Sequence, residues 1–330
     1  MQSAKRATDT GRLGERSYAS MRFRWEIDRD VVRGRAVDVT RKLLPDGLSL
    51  VGRLEFLDAG ERRLMSQVQG WTYVRMLGLM ERIIGAKIPD LAREHARTDR
   101  LASTHLPRLP DDERKHEELF ARIDRLLGEA MPNGYRFVGQ SDLATSFVSG
   151  KSTWAALALV CLIGLITQVH YRQTIEPDRE LSDLYKDVLF FHWMEESQFA
   201  VVDELRWLRE STKLNAAERD AGLDQLIEIL QGIDAILFFQ APEDAGYFAR
   251  TCKRRFSPTE FERLERGMLD AYRWQYIRCG LEEPRFAELL SRTLNCAQVA
   301  RMGRELGPVA ALRRAGTPCN LTGEALVGAY

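Results

Sequence analysis

The chain lacks the residue patterns that mark the commoner catalytic classes. Its five cysteines (161, 252, 279, 296 and 319) are scattered through 330 residues and form no C-x-x-C pair. That argues against a disulfide framework and a thiolate zinc site, and fits a reducing cytosol. There is no Walker motif, no G-x-G-x-x-G following a strand and no G-x-S-x-G, so nucleotide-binding and serine-hydrolase readings have no support. Charge of one sign is also lacking. Lys+Arg and Asp+Glu each number 48, so no net field draws nucleic acid or an anionic membrane. The basic runs "RGRAVDVTRK" and "CKRRF" read as solvated faces.

A long hydrophobic run is missing too. The longest, "WAALALVCLIGLIT" at 154–167, is shorter than the roughly 20 residues of a spanning helix, and Gln168, His170 and Arg172 follow at once. It predicts a buried core helix. The first residues, "MQSAKRATDTGRLGER", hold no apolar stretch, so no signal peptide is expected and a cytoplasmic location is. The expected partner is an unknown small-molecule substrate, without nucleic acid or membrane; a homodimer is left open.

What is present is helical periodicity. No segment sustains period-2 alternation, and β-branched clusters are rare. The pattern predicts an all-α protein: a disordered tail at 1–20, a wrapping segment at 21–60, a four-helix core at 61–210, additional helices at 211–310 and a tail at 311–330. Within this scheme the helices fall at 61–86, 111–130, 152–175, 179–210, 216–240, 257–278 and 284–305. Ser152 suits an N-cap, and Ser257-Pro258 with Glu260 resembles a capping box.

Several charged residues interrupt apolar stripes. Glu81 falls among Val74, Leu77, Gly78 and Ile84. Glu113 and His116 share a face that Phe120 and Leu127 continue. His192 and Glu196 extend the stripe of Leu181, Tyr185 and Val188, with Phe199 next on that side. A buried carboxylate without a partner is costly, so these groups need one another or a metal. One Glu followed by Glu-x-x-His on the next helix is half of the site found in dimetal helical bundles. Glu81 and Glu113 are 32 residues apart, and 32 before Glu196 lies Gly164, so the two helical hairpins have matched depth.

Together "FHWMEESQF", "DDERKHEELF" and "LITQVHY" resemble the ferritin-like di-iron proteins of the p-aminobenzoate N-oxygenase kind over roughly residues 60–240. The resemblance implies a ferritin-like four-helix bundle that oxidises a small molecule with dioxygen at two irons. It implies a final helix reading H-x-x-x-E-x-x-H, whose first two ligands match His192 and Glu196. Helical angles leave Glu195 and Glu196 about equally placed, and the family pattern selects Glu196. The chain departs from that pattern twice. The closing His is Phe199, and no Asp or Glu occurs from Trp154 to Ile175, which leaves Gly164 or Leu165 where a Glu belongs. Five of seven implied ligands remain: Glu81, Glu113, His116, His192 and Glu196. Asp203, one turn beyond Phe199, is the expected acceptor for a ligand histidine.

Three readings follow. In the first, Glu113 and Glu196 bridge two irons, Glu81 and His116 complete one, and His192 serves the other. The second is a single Fe(II) or Mn(II) held by Glu81, Glu113 and His116. The third is a metal-free protein of the same fold, acting as a binding or scaffold protein. The expected Phe199 ring fills the space left beside Gly164.

Overall fold

The computed structural model describes residues 24–95, 109–307 and 309, with the side chains of 88–95 and 109–113 outside the description. The expected tails at 1–20 and 311–330 lie outside the described residues. Among those described, the protein is all-α and has no strand. The one β-type pairing among the described residues is an isolated parallel bridge between Lys42 and Leu181.

Among the described residues, nine α-helices of more than eight residues carry the architecture: α1 (Ala59–His95), α2 (Leu109–Ala130), α3 (Ser141–Ser149), α4 (Thr153–His170), α5 (Asp183–Lys213), α6 (Ala216–Thr251), α7 (Pro258–Arg273), α8 (Pro284–Thr293) and α9 (Cys296–Glu305). Local chemistry starts most of them. Asp58 and Glu61 cap α1 reciprocally, each carboxylate accepting from the other's backbone N–H at 3.0 and 2.8 Å. The Ser152 side chain accepts from Ala155 N–H at the head of α4. The capping box expected at Ser257 and Glu260 is formed, with Pro258 at the first helical position.

α1 packs chiefly on α2, and α4 on α5. Both pairs are antiparallel. Arg75 reaches Asp124 while Arg82 reaches Glu117, and Trp154 donates to Ser211 while Tyr171 stacks on Trp193. Gly78 lies at the first of these seams, where an added Cβ would meet Phe120 Cβ at an ordinary contact distance of 3.4 Å. α6 lies against α7, α4 and α1. The helix through Thr153–Ile175 is long and apolar enough to cross a membrane, yet most of its apolar stretch is buried inside the fold, as expected of a core helix.

Four expectations need correction. The 21–60 segment does more than wrap the surface over its described part. Leu43, Leu44, Leu48 and Val51 are fully buried, and Ser66 anchors the strap by accepting from the N–H groups of Leu43 and Leu44. Helix α6 runs past 240 to Thr251 with Pro242 inside it. Pro242 cannot donate to the Phe238 carbonyl, but it is exposed, as are Phe238 and Phe239, so water can satisfy that group. The helix expected at 284–305 is two helices, because Leu294 is extended and the Asn295 side chain caps α9 with Gln298. Helix α3 arises in a stretch where no helix was expected.

Candidate metal centre

Three helices of the core converge on one polar spot. Glu81 comes from α1, His116 from α2, and His192 and Glu196 from α5, one turn apart. Each can offer one donor atom, and the four atoms lie within 4.8 Å of one another. Glu81, His116 and His192 are each 1% exposed. Helical spacing explains the convergence: each residue sits in the apolar stripe that its helix turns inward, so burying the stripe carries the polar group in with it.

Glu81 uses both carboxylate oxygens. His192 Nε2 donates to Oε1 at 2.8 Å, and His116 Nδ1 stands 3.3 Å from Oε2. Glu196 Oε1 is 3.4 Å from the same His116 nitrogen. The His116 and His192 rings meet edge to face at 4.8 Å, and the Phe120 ring closes the far side of His192 at 5.0 Å.

Burial and charge pull against each other here. Burial works against a charged Glu81, but the adjoining imidazoles outweigh it and hold the carboxyl well below its usual range. Burial also opposes a charged His116, yet its hydrogen bonds to Glu195 and Glu81 and the nearby Glu196 lift it to about 10. His192 goes the other way, lowered chiefly by burial, and is the neutral ring of the pair. Burial and the Glu81 charge push Glu196 up to about 8. Near neutral pH the cluster therefore holds an ionised Glu81, an imidazolium at His116, a neutral His192 and a largely protonated Glu196.

The structure brings together four of the five ligands expected from sequence. Glu113 lies on α2, but its side chain is outside the described residues. Glu81 pairs with neither Arg75 nor Arg82, which bind Asp124 and Glu117. Asp203 accepts from Arg206 at 2.9 Å, whereas His116 and His192 find their acceptors in Glu195 and Glu81. Gly164 is buried, but a Cβ added there would meet no heavy atom within 4 Å. Phe199 packs half-buried against the core and does not close that space.

Sequence reasoning missed the outer side of His116. Its Nε2 donates to Glu195 Oε2 at 2.9 Å, and Lys115 donates to the other oxygen of Glu195 at 2.6 Å. The Lys115 ammonium lies 4.0 Å over the Trp25 ring, which stacks on His116 with 6.5 Å between centroids. The signal for Glu195 was present as two consecutive acids on a helix face where either could point inward. Trp25 left no local signal, because the contact joins residues 91 positions apart.

The donor set suits a divalent transition ion. Two imidazoles and two carboxylates match iron, manganese or zinc better than calcium or magnesium. Donors in one coordination sphere with bonds of about 2.1 Å stand roughly 3–4.2 Å apart, close to the spread seen here. Comparison with known proteins finds no matching family model, no matching curated protein and no matching solved structure.

Proposed function

We propose that the protein is a ferritin-like, non-haem metal oxidoreductase that holds one divalent ion, iron or manganese, at Glu81, His116, His192 and Glu196, and uses dioxygen to oxidise a small molecule. One observation carries this reading: four donors of the right kinds approach within 4.8 Å inside the core. The spread supports one ion, since two metals about 3.5–4 Å apart need donors spaced more widely. The pairing of α1 with α2 and of α4 with α5, with ligands from both pairs, supports the ferritin-like reading of the fold.

Bound iron supplies dioxygen binding and electron transfer. The chain's own residues do the rest. Glu81 anchors both imidazoles, Phe120 and Trp25 keep water from the rings, and Glu196 holds a proton that it can surrender. To hold a divalent ion, His116 Nδ1 and Glu196 would each give up a proton, about two protons for two positive charges, which would leave the buried net charge unchanged. This balance lets one buried site exist with and without metal.

A second reading has its own support. The Nε2 atoms of both rings, His116 Nδ1 and both Glu81 oxygens already have partners, so a metal-free scaffold with this network is chemically satisfied. Metal analysis of the purified full chain after anaerobic incubation with Fe(II) separates the readings. About one equivalent is expected. Two equivalents would favour a dinuclear site completed by Glu113, and none would leave the scaffold.

A further inference from the structure

Consecutive acids on α5 address opposite edges of one ring on α2. Glu196 lies 3.4 Å from His116 Nδ1, and Glu195 accepts from Nε2 at 2.9 Å. Nδ1 faces the cluster, because Glu81 is also 3.3 Å from it. Nε2 points instead at Glu195, whose other oxygen Lys115 holds. We propose that Glu195 is a positioning residue: it accepts the Nε2–H of His116, fixes that tautomer, and presents Nδ1 to the metal ion. This rests on the metal-binding reading above and names a residue that reading does not use.

Three features make the arrangement directional. A free imidazole ligates through either nitrogen and can turn over about its Cβ–Cγ bond. The charge-assisted hydrogen bond to Glu195 commits Nε2 to carrying the proton and stops that turn, and such an acceptor also makes the ligating nitrogen more basic. Lys115 occupies the second oxygen of Glu195, so this carboxylate brings no uncompensated charge and is held from swinging into the cluster. Trp25 covers the outer face, stacked on His116 at 16° between planes and bearing the Lys115 ammonium. A purely structural ion pair between Lys115 and Glu195 would need neither the ring contact nor the burial that leaves Glu195 only 8% exposed.

The test uses the full chain loaded with Zn(II) or Co(II). In the Zn(II) form, imidazole 15N–1H correlation should show His116 protonated at Nε2 and bound through Nδ1. Glu195→Ala should lower Co(II) affinity by about 10–100-fold, measured against a competing chelator, with helix content unchanged. Glu195→Gln, whose carbonyl still accepts the N–H, should keep most of the affinity and the same tautomer. His116 bound through Nε2 in the wild type would overturn the proposal without needing any variant. So would undiminished affinity in Glu195→Ala, or a Glu195→Gln loss as large as that of Glu195→Ala, which would make the carboxylate itself a ligand. A wild type that takes up neither ion overturns both this proposal and the metal-binding reading. Uptake with an unmoved Glu195→Ala overturns the proposal alone.

Discussion

Two buried carboxylates in this core are held in opposite ways. Asp244, on α6, is fully buried and accepts from neutral groups only: Thr72 Oγ1 at 2.6 Å, Gln240 Nε2 at 2.8 Å and the Tyr272 hydroxyl. Glu81, on α1, is as deeply buried but meets two imidazoles, with a second carboxyl, Glu196, against one of them. Burial pushes Asp244 up to about 7, against the pull of its three donors. Glu81 ends well below its usual range, because the imidazoles overcome the same burial. The Asp244 network ties α1, α6 and α7 together and offers a cation a single carboxylate and no imidazole. The Glu81 network holds two displaceable protons and four donors with lone pairs. Burial of a carboxylate is thus no sign of function; the kind of partner is.

The same chemical change at the two sites should separate them most sharply. Glu81→Gln removes the anion that both imidazoles face and leaves His116 with weaker compensation. Breaking a buried charged network costs about 3 kcal/mol or more in stability. Metal uptake should fall by at least 100-fold, since the one residue touching both rings is gone. Urea titration and metal analysis of the same preparation check both outcomes, and uptake equal to wild type would remove Glu81 from the ligand set.

Metal loading should be the next largest effect, and its pH dependence has a definite sign. A ligand at 100 times its dissociation constant stabilises by about 2.7 kcal/mol. In the metal-free protein the raised His116 contributes stability that is full below its unfolded value of about 6.5 and is lost as pH rises through about 10. Glu196 and Asp244, whose folded values rise to about 8 and about 7, act in the same direction, because ionising them inside the fold is harder than outside. The depressed Glu81 opposes this only in acid, where its contribution is lost as pH falls through its folded value. Metal requires the deprotonated ligands, so the loaded form gains as pH rises. Midpoints of thermal unfolding with and without Zn(II) should therefore diverge between about pH 6 and 9. Parallel curves would mean that binding displaces no protons from these groups.

Much of this was legible in the sequence, for identifiable reasons. Glu81, His116, His192 and Glu196 each break an apolar stripe of period 3.6, and a stripe that turns inward must carry its polar members with it. The Ser152 and Ser257 caps are short-range signals and survive unchanged in the fold. The errors came from competing local and distant effects. Pro242 reads as a helix end, but its solvated face lets α6 continue to Thr251. Asn295 followed by Gln298 is itself a capping signal, hidden inside what reads as one amphipathic run. Gln240 and Asp244 stand four apart among Leu237, Ala241, Ala245 and Phe248, so the second buried network had the same signature as the first. Its donors Thr72 and Tyr272 lie far away along the chain, and no spacing rule joins them.

Asp244→Asn should have a smaller effect than Glu81→Gln. The amide keeps the volume and one acceptor oxygen but turns the other position into a donor facing hydroxyl groups. The hydroxyls can rotate to accept, so the cost should be about 1–2 kcal/mol. Metal uptake should not change. Because the amide does not titrate, the variant should also lose the part of the decline in stability that wild type shows as pH rises toward 7. Any loss of metal in this variant would show that the two networks are coupled through α1.

The smallest expected effect is at Gly164 within α4, and Gly280 packed against the same helix gives the contrast. Gly280 presses on it, and an added Cβ would lie 2.5 Å from Leu162 Cδ1 and 2.7 Å from Ile166 Cγ1. Gly164 is buried within α4, yet a Cβ there meets nothing within 4 Å. Gly164→Ala should stabilise the protein by about 0.5–1 kcal/mol, from the better helix propensity of alanine, since the added methyl meets no neighbour. Gly280→Ala should destabilise it by about 1–3 kcal/mol, since the clash is with branched side chains already fixed in the core. The same space explains why Phe199 need not substitute for a lost ligand. A gap that remains open beside Gly164 is room for a side chain the helix does not carry. If that room once held a carboxylate, Gly164→Glu with Phe199→His should raise bound iron above one equivalent, with neither single change sufficient. Leu165→Glu with Phe199→His is the control for a one-residue shift in register. No gain from either double variant, in protein that keeps its helix content, would show that the single site is the whole of the metal-binding capacity of this core.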